Sequence, residues 1–185
     1  MGVTQNLKRS GQFSMVPTQE DLGAQRQLRF HVAGGPPVLH IFKARGESLH
    51  QAYLKALSYA FWREYGPLTF EPKTDYKIDP HVACLDLTGE ARLWVQIGPC
   101  SLETLEYVLR HTDAKDVCWV MESPQASTRD ELQAECEEWI ARIKRHIHYR
   151  YTTKKLKLLL FTPLDNWFDP HHVDPTDAEY LFYTF

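Results

Sequence analysis

A run of basic side chains near the carboxyl end offers the densest potential chemistry in this sequence. Residues 142–157 contain no Asp or Glu, and Tyr149 and Tyr151 lie between the cations. Basic groups release counterions from nucleic-acid phosphates, and aromatic rings stack on unpaired bases. The run therefore predicts a nucleic-acid surface, with a solvated helix end as the alternative. Its cations are Arg142, Lys144, Arg145, Arg150, Lys154, Lys155 and Lys157.

A second group combines carboxylates with adjacent imidazoles near the end of the chain. Such side chains suit a transition-metal ion. Their spacing matches no metal-binding motif, so a polar turn with Asx-type hydrogen bonds is the favoured interpretation. The group consists of Asp165, Asp169, His171, His172, Asp174 and Asp177.

Cys100 follows Gly98-Pro99 and precedes a helix-start signal at Ser101. A helix N-terminus stabilises a thiolate, which is the reactive form of cysteine. No nucleophile elbow or comparable catalytic pattern accompanies it, so we interpret Cys100 as a structural residue at the start of a helix.

The composition limits the class of protein. A chain of 185 residues with 43% apolar and 24% charged residues is typical of one soluble globular domain, and its net charge of −3 gives no overall argument for nucleic acid. The four cysteines form no Cys-x-x-Cys pair, which argues against a zinc ribbon or a redox motif. Cys84 and Cys118 lie within apolar runs, which favours reduced core thiols and a cytoplasmic location. No apolar segment approaches the ~20 residues of a membrane span. We expect a flexible arm over residues 1–26 and a single domain over residues 27–185.

Hydrophobic periodicity predicts the elements that must position these groups. A hairpin is expected where two short apolar runs flank Gly34-Gly35-Pro36-Pro37, and a polar loop is expected over residues 66–78. Thr128 and Glu131 have the spacing of a capping box. The predicted helices cover residues 48–65, 101–111 and 128–148, and the predicted strands cover residues 28–32, 38–42, 116–121, 155–161 and 180–185.

The stretch of residues 79–98 organises the chain. Val82 and Cys84 alternate on one short strand, and Leu93, Val95 and Ile97 alternate on the next. Gly89 can supply the positive φ that a tight connection needs. This pattern predicts a hairpin at the centre of a sheet. The run 116–121 is predicted as a further central strand that can pair in parallel with a neighbouring strand.

The same stretch resembles the YaeQ family, a small bacterial group whose fold is similar to that of PD-(D/E)XK nucleases. The resemblance rests on Pro80, on Asp86-Leu87-Thr88-Gly89-Glu90, on Leu93-Trp94-Val95 and on Gly98. It covers roughly residues 27–162. It implies an α/β (α+β) fold with a mixed central β-sheet flanked by helices, in which a nuclease-like core carries an added N-terminal β-hairpin.

The resemblance also implies a site, and the chain departs from it at two positions. Glu47 and Lys55 match a Glu and a basic residue on the first long helix of the family, whereas His81 and Gln96 replace two acids at strand ends. Metal-dependent phosphodiester cleavage needs anionic oxygen ligands for a hard cation such as Mg²⁺ or Mn²⁺. The resemblance therefore implies catalytic positions at Glu47, Lys55, His81 and Gln96 in degenerate form, with Glu47 and His81 as the metal ligands if an ion binds.

We therefore expect a YaeQ-like protein with a nuclease-type fold and a degenerate site, acting in nucleic-acid or protein binding. One alternative is an active metal-dependent nuclease that uses Glu47, His81 and Gln96. Another is a module that binds only proteins, through a second copy or a different partner. Exposed aromatic residues would favour such a contact; the candidates are Trp62, Trp167, Phe168 and the terminal run 180–185.

Overall fold

The computed structural model describes residues 27–36, 38–147, 154–166, 169 and 172–185. The predicted arm 1–26 lies outside these residues, and the single domain 27–185 stays a prediction. The described chain contains three α-helices: α1 (Leu49–Trp62), α2 (Leu102–His111) and α3 (Arg129–His146). Its strands are β1 (Gln27–Val32), β2 (Leu39–Phe42), β3 (Leu68–Phe70), β4 (Val82–Leu85), β5 (Ala91–Ile97), β6 (Asp116–Glu122), β7 (Lys155–Phe161), β8 (His172–Val173) and β9 (Tyr180–Thr184).

Six strands form one mixed sheet in the order β3-β4-β5-β6-β7-β9. The strands β3, β4 and β5 are antiparallel, β5, β6 and β7 are parallel, and β9 returns antiparallel to β7. The predicted hairpin is confirmed as β4 and β5, and β6 is central with a parallel neighbour on each side. The predicted fold class, a mixed central sheet flanked by helices, is confirmed.

The connection between β4 and β5 forms as its residue types predict. Gly89 has a φ of 88°, which an L side chain rarely adopts. The carboxylate of Asp86 accepts hydrogen bonds from the backbone N–H groups of Thr88 at 2.8 Å and Glu90 at 3.0 Å. This Asx-type turn sets the register in which Val82 pairs with Val95.

The predicted N-terminal hairpin also forms, but it belongs to a separate small sheet. β1 pairs antiparallel with β2 and parallel with the two-residue strand β8. Leu28, Phe30 and Val32 alternate toward the interior, where they pack with α1. The small sheet and α1 thus cover one face of the six-stranded sheet.

The two faces of the main sheet bury separate cores. On the α1 face, Leu93, Val95 and Ile97 of β5 pack beneath Leu54 and Leu57. The other face packs against α2 and α3 and buries Trp94 and Trp119, both fully inaccessible to solvent. Because successive residues of a strand point to opposite faces, these two residue sets fix which side chains share a face.

Local signals define the helix ends. The capping box of Thr128 and Glu131 is present as predicted, and Ser48 with Gln51 forms a second one that starts α1. The predicted helix 48–65 ends at Trp62 and continues as a 3₁₀ turn over Arg63–Tyr65. The prediction of a loop over residues 66–78 is wrong at its start, because β3 adds a short strand to the sheet edge there. Within the described residues, no helix has the length and apolarity needed to cross a membrane.

Candidate functional site

Lys55 forms the centre of a buried charge cluster beneath α1. Its side chain is inaccessible to solvent, and its Nζ lies 2.6 Å from Oε1 of Glu47 and in contact with Oε1 of Glu71. The contact with Glu47 is an ion pair without hydrogen-bond geometry, whereas Nζ donates a hydrogen bond to Glu71. Since Glu47 stands just before the N-cap Ser48, α1 places both members of this pair.

The carboxylate of Glu47 is held in its orientation through Oε2, the oxygen that does not contact Lys55. Its Oε2 accepts a hydrogen bond of 2.7 Å from the backbone N–H of Ala44, and its side chain is only 7% exposed. A buried carboxylate is stable when it is paired and hydrogen-bonded. Both conditions are met here, so Glu47 is an acceptor that is held in place before any ligand binds.

Glu71, which the sequence analysis did not identify, completes the cluster. It follows β3 directly, has a φ of 47°, and donates its backbone N–H to the carbonyl oxygen of His81 at 2.9 Å. It is the one non-glycine residue with positive φ in the described chain, and such conformations collect at functional sites. Its side chain is 42% exposed, so the cluster reaches solvent on this side. The sequence signal was weak, since an acid after a three-residue strand looks like an ordinary loop residue.

His81 immediately precedes the first residue of β4 and lies beside this cluster. Its backbone N–H donates to the carbonyl oxygen of Val95 at 3.0 Å, and its ring Nδ1 accepts from the backbone N–H of Ile97 at 3.1 Å. The neutral ring therefore carries its proton on Nε2 and presents a donor there. Burial lowers the pKa of His81, and the ammonium of Lys55 lowers it further, while Glu47 and Glu71 act in the opposite direction.

Gln96 is the candidate that the structure separates from the others. It is 8% exposed and pairs with Trp119, on the sheet face that packs against α2 and α3. Its Oε1 is buried and has no hydrogen-bond partner among the described residues. The structure therefore brings Glu47, Lys55 and His81 together with Glu71, and directs the side chain of Gln96 away from α1.

The donor set does not suit a hard divalent cation while Lys55 is in place. Mg²⁺ and Mn²⁺ require anionic oxygen ligands at short distance, but the Lys55 ammonium already contacts both carboxylates. His81 offers no free lone pair, because Nδ1 accepts a hydrogen bond and Nε2 carries the proton. The arrangement instead holds a hydrogen-bond donor, Nε2 of His81, and an acceptor, the carboxylate of Glu47, in fixed orientations. The metal-binding roles of Glu47 and His81 stay predictions.

The predicted basic surface divides into exposed and internally used side chains. Arg142, Lys144, Arg145 and Lys155 are exposed, and Arg150 lies outside the described residues. The ammonium of Lys154 donates to the carbonyl oxygen of Thr112, and burial lowers its pKa.

Lys157 points into the α1 face of the sheet. Its side chain is 15% exposed, and its Nζ lies 2.8 Å from Asp116 and donates to the hydroxyl of Tyr65 at 2.7 Å. Burial acts to lower the pKa of Lys157, but the hydrogen bonds to Asp116 and Tyr65 outweigh it and the pKa is raised. This lysine is a member of an internal ion pair.

The structure also bears on the two other candidates from the sequence, the thiol of Cys100 and the His and Asp residues of the tail. Burial raises the pKa of the Cys100 thiol to about 12, which opposes a reactive thiolate. His172, Asp174 and Asp177 bring potential ligand atoms within 4.8 Å of one another, yet Asp174 accepts from the N–H and hydroxyl of Thr176 in the Asx-type turn that the sequence favoured.

The other predicted residues of the tail have internal partners or lie outside the described residues. Asp165 contacts the ring of His50, and the carboxylate of Asp169 accepts a hydrogen bond from the backbone N–H of His172. The residues outside the described part of the chain are His171, Trp167 and Phe168. The expectation that Trp62 is a surface aromatic is wrong, since it is 5% exposed and packs in the α1 core.

Substitution of His81 by Asn tests the assignment of a neutral ring. The amide oxygen can still accept from Ile97, but the group no longer titrates. Because the pKa of folded His81 lies below its ordinary value of about 6.5, acidification protonates the unfolded chain first and stabilises it. The wild-type free energy of unfolding should fall more steeply than that of His81→Asn below about pH 6.5, with parallel curves above it. Urea unfolding across this range measures the difference, and parallel curves throughout would contradict the assignment.

Comparison with known proteins identifies solved structures with a similar fold. No family model matches the chain, and no curated protein matches it. Among solved structures, the YaeQ protein of Xanthomonas axonopodis pv. citri matches with a TM-score of 0.50 and 14% identity, over 86% of this chain and 93% of that one. The YaeQ protein of Pseudomonas syringae matches with a TM-score of 0.54 and 14% identity, over 80% and 79% of the two chains. Identity this low supports a statement about the fold, and the chain has the fold of the YaeQ proteins.

Proposed function

We propose that this chain is a YaeQ-like nucleic-acid-binding protein built on a PD-(D/E)XK nuclease-type scaffold whose catalytic site is degenerate. The observation that carries the proposal is the buried ammonium of Lys55, which contacts the carboxylates of both Glu47 and Glu71. An internal cation stands where two acids would otherwise attract a metal ion. The protein then binds a nucleic acid without cleaving it.

The charge of the cluster supports the loss of catalysis. A metal-dependent nuclease uses the ion to polarise the phosphate and to activate water. Binding of Mg²⁺ between Glu47 and Glu71 would bring a divalent charge beside an ammonium that has no exposure to solvent. Moving this ammonium away would leave a buried charge without its partners, which is costly. The neutral side chain of His81 adds no anionic ligand to offset that cost, and Gln96 lies on the opposite face of the sheet.

The basic end of α3 supports nucleic-acid binding. The exposed cations there are Arg142, Lys144 and Arg145, and the start of β7 adds Lys155 beside the exposed Lys115, whose carbonyl oxygen accepts from the N–H of Lys155. The ammonium of Lys144 also lies 5.5 Å from the ring centre of Tyr183. Cations next to partly exposed aromatic rings form the kind of surface that holds single-stranded nucleic acid.

The absence of cleavage is the first test. Incubation of the wild-type protein with labelled single- and double-stranded DNA and RNA, with Mg²⁺ or Mn²⁺, should leave the strands intact, because the Lys55 ammonium already neutralises the two carboxylates that an ion would need. Cleavage that EDTA abolishes and that Glu47→Gln removes would instead establish the active nuclease. If cleavage depended on the predicted set, Gln96→Ala would remove it as well.

Charge reversal on α3 tests the binding surface. The pair Lys144→Glu and Arg145→Glu should weaken binding to a single-stranded oligonucleotide and reduce the slope of log K against log salt by about 1.4, since each lost phosphate contact contributes about 0.7. The pair Arg29→Glu and Arg92→Glu changes the net charge equally at exposed positions elsewhere and serves as the control. Equal losses in both pairs, or affinity that does not respond to salt, would overturn the assignment of this surface.

Protein binding through β9 is the second candidate function, and a specific feature of the sheet favours it. No described strand pairs with the outer edge of β9. The N–H of Phe185 donates to Leu156 and that of Thr162 donates to Glu179, so the odd-numbered residues of β9 face β7. Tyr180, Phe182 and Thr184 therefore direct their backbone groups outward, and Phe182 is 49% exposed. Two copies pairing antiparallel about Phe182 would form a continuous sheet.

Sedimentation velocity tests this pairing. The wild-type protein should form a concentration-dependent dimer that Phe182→Lys dissociates, because a lysine on an edge strand opposes pairing. Phe42→Lys, at another exposed aromatic position, should leave the dimer intact. A wild-type protein that remains monomeric at high concentration would rule out the homodimer.

A further inference from the structure

A cavity of about 610 Å³ lies beside the first turns of α1, at the carboxyl ends of the parallel strands β5 and β6. In open sheets with parallel strands, this edge is where small ligands bind. None of Glu47, Lys55, Glu71 and His81 lines the cavity. It is therefore separate from the charge cluster, although both adjoin α1.

The walls of the cavity are largely apolar, and contacts with the buried Trp119 hold them in place. Leu54, Met121 and Trp139 line it. The indole of Trp139 packs edge-on against Trp119 at 5.0 Å, and the indole N–H of Trp119 donates to the carbonyl oxygen of Gly98 at 2.9 Å. These contacts fix both the aromatic wall and the turn after β5, so the cavity is formed before a ligand arrives.

Two carboxylates supply the charge of the cavity, and no Lys or Arg is among its described lining residues. Glu122 accepts from the N–H of Leu164 at 2.7 Å and lies 3.0 Å from Nδ1 of His50. Glu135 accepts from the hydroxyl of Ser123. Both oxygens of Glu122 are thus engaged, whereas Glu135 is held through one oxygen. A carboxylate oxygen has two lone pairs, so each group retains capacity to accept further hydrogen bonds.

We propose that this cavity binds a small organic cation, with an amidinium, guanidinium or protonated amine attached to an apolar body. Fixed carboxylates favour a positive group, and the aromatic wall favours a cation or an apolar ring. The guanidinium of Arg142 already stacks on Trp139 at 4.2 Å, so a ligand in the cavity would contact the part of this indole that Arg142 leaves uncovered. A metal ion is a poorer fit, because the carboxylates of Glu122 and Glu135 do not belong to the group of clustered ligand atoms in the described chain.

A matched series of probes tests the charge preference on the wild-type protein. Benzamidinium, benzamide and benzoate share one shape and differ in charge. Isothermal titration calorimetry should show benzamidinium binding at least about tenfold more tightly than benzamide, since a carboxylate strengthens a hydrogen bond to a charged donor. Benzoate should not bind measurably. No binding of benzamidinium at millimolar concentration, or equal binding of all three probes, would overturn the proposal.

A pair of variants on α3 tests the location. Glu135→Gln should weaken benzamidinium binding about tenfold or more, because the ligand loses a charged acceptor. Glu137→Gln removes the same charge from an exposed position of the same helix and should leave the affinity unchanged. Equal effects in the two variants would assign the preference to net charge alone and overturn the site. If Glu135→Gln did not fold, the indole N–H resonance of Trp139 in the wild type would decide the location, because it must shift on binding of benzamidinium.

Discussion

The ammonium of Lys55 needs anionic partners, because it lies in the interior without access to water. Glu47 reaches it from the residue before α1, and Glu71 reaches it from the end of β3. One buried cation therefore joins the first helix to the edge of the main sheet. The positive φ of Glu71 and the hydrogen bond from its backbone to His81 belong to the same constraint. The conformation of this corner of the molecule follows from satisfying a single charge.

The buried ammonium of Lys55 also bears on the proposed absence of metal-dependent catalysis. A cluster that contains its own cation has little use for Mg²⁺, so a neutral His81 beside it is consistent with the buried lysine. The rest of the molecule offers surfaces for binding: exposed cations at the end of α3, an open edge at β9, and an acidic and aromatic cavity beside α1. Under the proposed function, this architecture recognises a nucleic acid and does not cleave it.

Much of the fold could be predicted from the sequence, because periodicity and caps act locally. The hairpin of β4 and β5 and the capping box at Thr128 both form as their residue types indicate. The site was less predictable, because it depends on which face of a strand each residue occupies. Lys157 belongs to a basic run, yet strand alternation turns it inward to Asp116. Glu71 escaped notice because three-residue β3 has no periodic signal.

The double-mutant cycle of Lys55 with Glu47 measures the central interaction directly. Lys55→Met removes the charge at similar volume, and we expect it to lower the free energy of unfolding by about 3–5 kcal/mol, because two carboxylates lose their buried partner. Glu47→Gln made in the same chain should restore a large part of that loss, which urea denaturation would show as strong non-additivity. A Lys55→Met protein as stable as the wild type, or losses that simply add, would contradict the account.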